Sequence, residues 1–126
     1  MTEQLPSIPE GSALVPRLSE AVVLQGTIDQ LRKDLASAGK DLVMVPQDEG
    51  AFEALRAQVL PILESMDGHS LQVALYRVDV PEPWAKRAMA AGGLGELAGA
   101  MVLRALQKVL TRLRYAQMND PSATRP

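Results

Sequence analysis

Four cations gather near the end of the chain. Arg104, Lys108 and Arg112 recur every four residues, and Arg114 lies beside the last of them. Residues four apart share a helix face, so this spacing draws a basic ladder that could hold phosphates or an acidic protein surface. Like charges at that spacing repel by about 0.2–0.5 kcal/mol per pair, so other interactions must offset them. A helix C-terminus contributes about 0.3–1 kcal/mol to a nearby cation. The rest of the chain offers carboxylates: residues 1–83 carry six Lys/Arg against thirteen Asp/Glu, whereas residues 84–115 carry six against one. The whole chain has a net charge of −2 and a pI near 5.4, and Tyr115 is the only ring near the ladder. Nucleic-acid binders are more basic and richer in stacking aromatics. The composition therefore favours a structural ladder, with nucleic-acid or polyanion binding as the alternative.

The remaining chemistry is sparse. His69 is the only histidine and there is no cysteine, so neither a zinc set nor a thiol nucleophile can be assembled. No serine is patterned beside His69 as a nucleophile, and its neighbour Gly68 marks it as an exposed turn residue. Gly93-Leu94-Gly95-Glu96-Leu97-Ala98 matches the G-x-G-x-x-[GA] phosphate turn. That motif needs a strand before it and an acid about 20 residues on. Here a helix precedes it, and the first acid afterwards is Asp120. The glycines read as the end of one helix and the close-packed start of the next. The carboxylate pairs Asp48/Glu49 and Glu64/Asp67 fall at helix ends and lack the spacing of a calcium loop. No catalytic residue, metal or cofactor is expected. Trp84 and Met89 lie in a short run of small apolar residues, Pro83 to Ala91. Inside the domain Trp84 is a core anchor; on the surface the two would form an interface with another subunit or protein.

Helices must position these residues. Hydrophobic residues make up 47% of the 126, enough for a real core, yet only Phe52, Tyr76, Trp84 and Tyr115 are aromatic. A core of Leu, Ala, Val and Met favours helix over sheet. Pro6, Pro9, Gly11 and Pro16 mark residues 1–15 as an irregular leader. Ser12 could cap a helix, but Pro16 suits a first turn better, so the first helix is expected from Pro16 to Ala38, closed by Gly39. Its stripe is Leu24, Ile28, Leu31 and Leu35, and Gly26 within it suggests close packing. Asp41 to Gly50 reads as a connector, Leu42–Val45 being the alternative strand. From Asp48, Phe52, Leu55, Val59, Ile62 and Met66 step as a helical stripe, with a kink or break at Pro61.

Asp67-Gly68 turns the chain. Leu71, Ala74, Leu75 and Val78 then share a helical face, although Leu71–Val80 could also be read as a strand. Asp79-Val80-Pro81-Glu82 resembles a capping box for a short helix that ends at Gly92-Gly93. The last helix, Leu94 to Tyr115, begins apolar almost all round (Leu97, Ala98, Ala100, Met101, Val102, Leu103) and ends two-sided. Its glycine end must therefore be wrapped by its neighbours.

The expected architecture is all-α: a single bundle of four or five helices around the long C-terminal one. Residues 1–15 form the leader, 16–115 the helical domain and 116–126 a frayed tail. An α+β fold with a small two-stranded element is the alternative. The N-terminus lacks the pattern of a signal peptide, and no apolar stretch reaches the length of a membrane span. The expected setting is cytoplasmic, the expected partners a second copy of the chain or another protein. The expected mode of action is association rather than catalysis.

Overall fold

The computed structural model describes residues 13–119. Five α-helices are present, with no strand among the described residues: α1 (Ala21–Leu35), α2 (Ala51–Glu64), α3 (Gly68–Val78), α4 (Glu82–Gly92) and α5 (Leu94–Asn119). The fold is all-α, a bundle packed on its long last helix, and the two-stranded alternative is not found. No helix among the described residues is long and apolar enough to cross a membrane. Residues 1–12 of the expected leader and 120–126 of the expected tail lie outside the described residues.

The centre is α5. Its 26 residues span about 39 Å at 1.5 Å per residue. Glu96 in the first turn is exposed, but every residue from 97 to 103 is buried, Leu97 and Met101 among them, so the helix is enclosed on all sides over that run. Three neighbours achieve this. Antiparallel to it, α2 brings Phe52 and Arg56 onto Gly99 and Gly95, where a β-carbon at Gly99 would sit 3.2 Å from Arg56 Cδ and 3.5 Å from Phe52 Cζ. Small residues four apart cut a notch that lets the second backbone approach closely. From the other side, α4 places Trp84 and Ala88, and Trp84 clusters with Ala100 and Leu103. Farther along, α1 crosses α5 at Gly26, whose added β-carbon would lie 2.9 Å from Val109 Cγ1. The close packing expected at Gly26 is present.

Several boundaries differ from those expected. The segment around Pro16 is a 3-10 turn, Val15–Ser19, rather than the first turn of α1. The Ser19 carbonyl is taken by the Gln47 side chain at 2.7 Å, and Glu20 is extended (φ −87°, ψ 126°), so α1 begins afresh at Ala21. At the other end, Ala36 adopts φ 53° and ψ −131°, which stops α1 at Leu35, four residues before Gly39; a 3-10 turn, Ala36–Gly39, follows. The second helix opens at Ala51 instead of Asp48, because the Asp48 carboxylate accepts the Gly50 N–H at 2.8 Å and forms a side-chain turn first. Pro61 does not break α2. Pro61 and Ala57, whose carbonyl loses its helical partner, are both exposed, so the freed carbonyl is not buried and the cost of the proline is small. The last helix continues past Tyr115 to Asn119.

Between α1 and α2 the chain runs extended with Leu42 and Val45 buried and Val43 and Met44 exposed. It is a connector, and side chains satisfy its backbone. Arg32 donates to the Leu42 carbonyl. The Gln58 amide accepts the Val43 N–H and donates to the Val43 carbonyl, both at 2.9 Å.

The capping box expected at Asp79 is not formed. Asp79 terminates α3: it stands in the left-handed region (φ 66°, ψ 45°), its N–H reaching the Leu75 and Tyr76 carbonyls while the Val80 N–H returns to Leu75. This is the six-to-one closure of a helix C-terminus. Pro81 stands at the start of α4 with no side-chain cap. That helix ends at Gly93, whose φ of 76° and ψ of −143° suit glycine alone.

Candidate functional site

The basic ladder runs along α5 from a largely covered end at Arg104 to an exposed end at Arg112 and Arg114, and three of its four members are engaged inside the molecule. Arg104 is only 14% exposed. Its Nε donates to the Asp79 carbonyl at 3.0 Å, its Nη2 to Asp79 Oδ2 at 2.9 Å and its Nη1 to Gln107 Oε1 at 3.3 Å. The Lys108 ammonium lies 2.9 Å from Asp34 Oδ2 and 3.1 Å from the Arg77 carbonyl. Asp34 also accepts two 3.0 Å bonds from Gln30 Nε2, and Gln30 Oε1 in turn accepts from Arg112 Nη1. Arg114 is exposed, and no ion pair among the described residues includes it.

The ladder thus does two mechanical things. Arg104 and Lys108 donate to carbonyls at the C-terminus of α3, the negative end of its dipole. Lys108 and Arg112 grip the polar flank of α1. Mutual repulsion along the ladder is offset by a carboxylate between each pair of helices. Among the described residues no buried side-chain nitrogen or oxygen is left without a partner.

Trp84 and Met89, paired in the sequence as interface candidates, separate. Trp84 is 3% exposed and fills the space between Ala100 and Leu103 with Val15, Phe52 and Val80 around it. It anchors the core and offers nothing to a partner, because its side of α4 faces α5. Met89, about a third of a turn away from that face, is 48% exposed. It lies at the rim of a groove of about 830 Å³ between α3 and α4. Leu97 forms its floor, and Leu71, Leu75, Val80 and Ala85 are among its lining. Tyr76, 87% exposed, stands on the opposite rim.

The groove lies between α3 and α4 beside the short link at Val80 and Pro81, and each helix buries only two residues in the bundle. Its charged rim residues are paired: Glu82 with Lys86 at 3.1 Å, and Asp79 with Arg104. The surface offered to a ligand is apolar and close to neutral. Of the residues lining the groove, the sequence analysis singled out Met89 as an interface candidate but not Leu71, Leu75 or Tyr76. The signal was there in α3, where four apolar positions leave a stripe wider than one neighbour can cover.

The other candidates are placed simply. His69 is exposed in the first turn of α3. It borders a second cleft of about 480 Å³ between α3 and the end of α1, together with Asp34, Ser37 and Arg77. Asp67 caps α3 by accepting the Ser70 N–H at 2.7 Å. That backbone bond, helped by the Ser70 side chain, holds the Asp67 carboxyl below its ordinary range. Gly93 and Gly95 form a helix stop and a packing notch, with no strand before them. Asp48 turns the chain into α2. Among the described residues no three His, Asp or Glu side chains converge as a metal would need. No protein-family model matches the chain, and no curated protein or solved structure matches it.

Proposed function

We propose that this chain acts by protein–protein association, taking an amphipathic helix of a partner protein into the groove between α3 and α4. The observation that carries this reading is the groove itself: an apolar trough floored by Leu97, with Met89 and Tyr76 exposed on its two rims. Its walls are 11-residue helices, about 16 Å long at 1.5 Å per residue. That length matches about three turns of a guest helix with apolar residues at i, i+3 or i+4, and i+7. Methionine and tyrosine suit the task, one adaptable in shape and the other a large anchor with a polar tip. Walls about 16 Å long and a gap about one helix (~10 Å) wide offer a face of about 160 Å², far below the roughly 800 Å² per partner that a stable dimer buries, which favours a single guest helix over a second whole copy.

Polyanion binding by the ladder is the weaker reading. Arg104, Lys108 and Arg112 would first have to leave Asp79, Asp34 and Gln30. A cysteine-free chain of this kind fits a reducing, cytoplasmic setting.

The test is a titration of isotope-labelled protein with a synthetic 15-residue Leu/Ala/Gln amphipathic helix, following methionine methyl signals by NMR. Saturable shifts at Met89 that vanish in Met89→Glu, with Met44 unmoved, are expected. No shift at millimolar peptide, or shifts centred on Met44, would overturn the reading. Light scattering on the protein alone adds a second outcome: a dimer dissolved by Met89→Glu would make the occupant a second copy and overturn the guest helix.

A further inference from the structure

We infer that α3 is a detachable arm, latched to the bundle by Arg104 and Lys108, and that its release opens the clefts on both of its sides together. The inference is independent of what occupies the groove. Its first support is burial. Along α3 only Ala74 and Val78 are buried, whereas α2 buries Ala51, Leu55, Val59 and Leu63, and α5 buries an unbroken run from 97 to 103.

The second support is the space around the helix. The groove of about 830 Å³ separates it from α4, and the cleft of about 480 Å³ separates it from the end of α1. Val73 on one flank and Tyr76 on the other are exposed. An element with open space on both sides has few neighbours to hold its position.

The third is the nature of what does hold it. At its C-terminus, Lys108 donates to the Arg77 carbonyl, and Arg104 grips the carbonyl and carboxylate of Asp79. The helix is bounded at both ends by single residues outside helical geometry, Asp67 (φ −78°, ψ 176°) and the left-handed Asp79. A few dihedral changes at such points swing a helix as a unit. Segments with little buried apolar surface open at free energies far below that of global unfolding. Opening here uncovers the short apolar line of Ala74 and Val78 and breaks the ion pair and two charge-assisted bonds, and salt screens the polar part.

Hydrogen exchange read by mass spectrometry on the full chain tests this. In the unaltered protein the amides of 71–78 are expected to exchange at least about tenfold faster than those of α2 and of residues 97–106. Arg104→Gln should widen that gap by about another tenfold, with α2 unchanged. Raising sodium chloride from 50 mM to 1 M should act in the same direction on the unaltered protein, which keeps the test decisive if the variant fails to fold. Equal protection of α3 and α5, or a variant that accelerates every helix alike, would overturn the proposal.

Discussion

Helices α2 and α3 both lie against the bundle, and different forces keep them there. On α2 the line Ala51, Leu55, Val59 and Leu63 is buried end to end, and its partner surface is the glycine notch of α5. Such contact is non-directional and scales with apolar area removed from water. On α3 the buried line is two residues long, and cations reaching over from α5 complete the attachment. That contact is directional and depends on the two cations meeting the carbonyls and the Asp79 carboxylate at the helix end. One bundle therefore contains a helix fixed by packing and a helix fixed by polar bonds, and the two should answer differently to the same perturbation.

Truncating the packed helix has the largest effect. Leu55 is fully buried, and Leu55→Ala should lower unfolding free energy by about 2–5 kcal/mol in a urea titration. Leu75→Ala on half-buried α3 should lose well under half of that. Equal losses would dissolve the contrast between the two helices.

Next in size is the ion pair behind α3. The side chains of Asp34 and Lys108 are 10% and 20% exposed, so Asp34→Ala leaves a largely desolvated ammonium with only the Arg77 carbonyl. A loss of about 1–3 kcal/mol is expected. The double variant Asp34→Leu with Lys108→Met should be close to neutral or more stable than the parent. A double variant as unstable as the single one would show that the pair contributes net stability.

Two glycines sharpen the comparison further. Gly26→Ala places a methyl group 2.9 Å from the stiff Val109 side chain. Overpacking of about 1–3 kcal/mol should outweigh the helix-propensity gain of about 1 kcal/mol, for a net loss in thermal or urea unfolding. At the start of α3, a β-carbon on Gly68 meets nothing within 4 Å. Gly68→Ala should stabilise by about 0.4–1 kcal/mol. A loss at Gly68 would mean that α3 is packed more tightly than its open flanks indicate.

The smallest effect is a dependence on pH. The Ser70 N–H lowers the folded-state Asp67 carboxyl below its unfolded value. The cap's contribution is therefore fully present above the ordinary carboxylate range and is lost as pH falls through the lowered folded value. Asn caps about as well without titrating. The melting temperature of the parent should therefore drop relative to that of Asp67→Asn between pH 5 and pH 2.5. Parallel curves would remove the cap from the account.

The legible parts of this molecule are those governed by local pattern. The all-round apolar run of Leu97 to Leu103 announced an enclosed helix, and it is enclosed. Gly93 announced a stop, and Gly26 a close approach. What escaped is what depends on partners distant in sequence. Asp79 precedes a proline and a glutamate, which fits the start of a helix; Arg104, 25 residues on, takes its carboxylate and favours the end of one. Pro61 looked like a breaker because its exposure to water could not be read from the chain. The ladder was visible, but Gln30, Asp34 and Asp79 became its partners only through folding. The groove went unseen because an apolar stripe does not say how far apart its neighbours will stand.

The Gln58 side chain has a consequence of another kind. Leu42 to Val45 lies outside any helix, with Val43 and Met44 exposed. Unpaired extended segments invite β-pairing between molecules, the first step toward aggregates. By holding both the N–H and the carbonyl of Val43, a single carboxamide imitates the neighbouring strand and fills the place a stray chain would need.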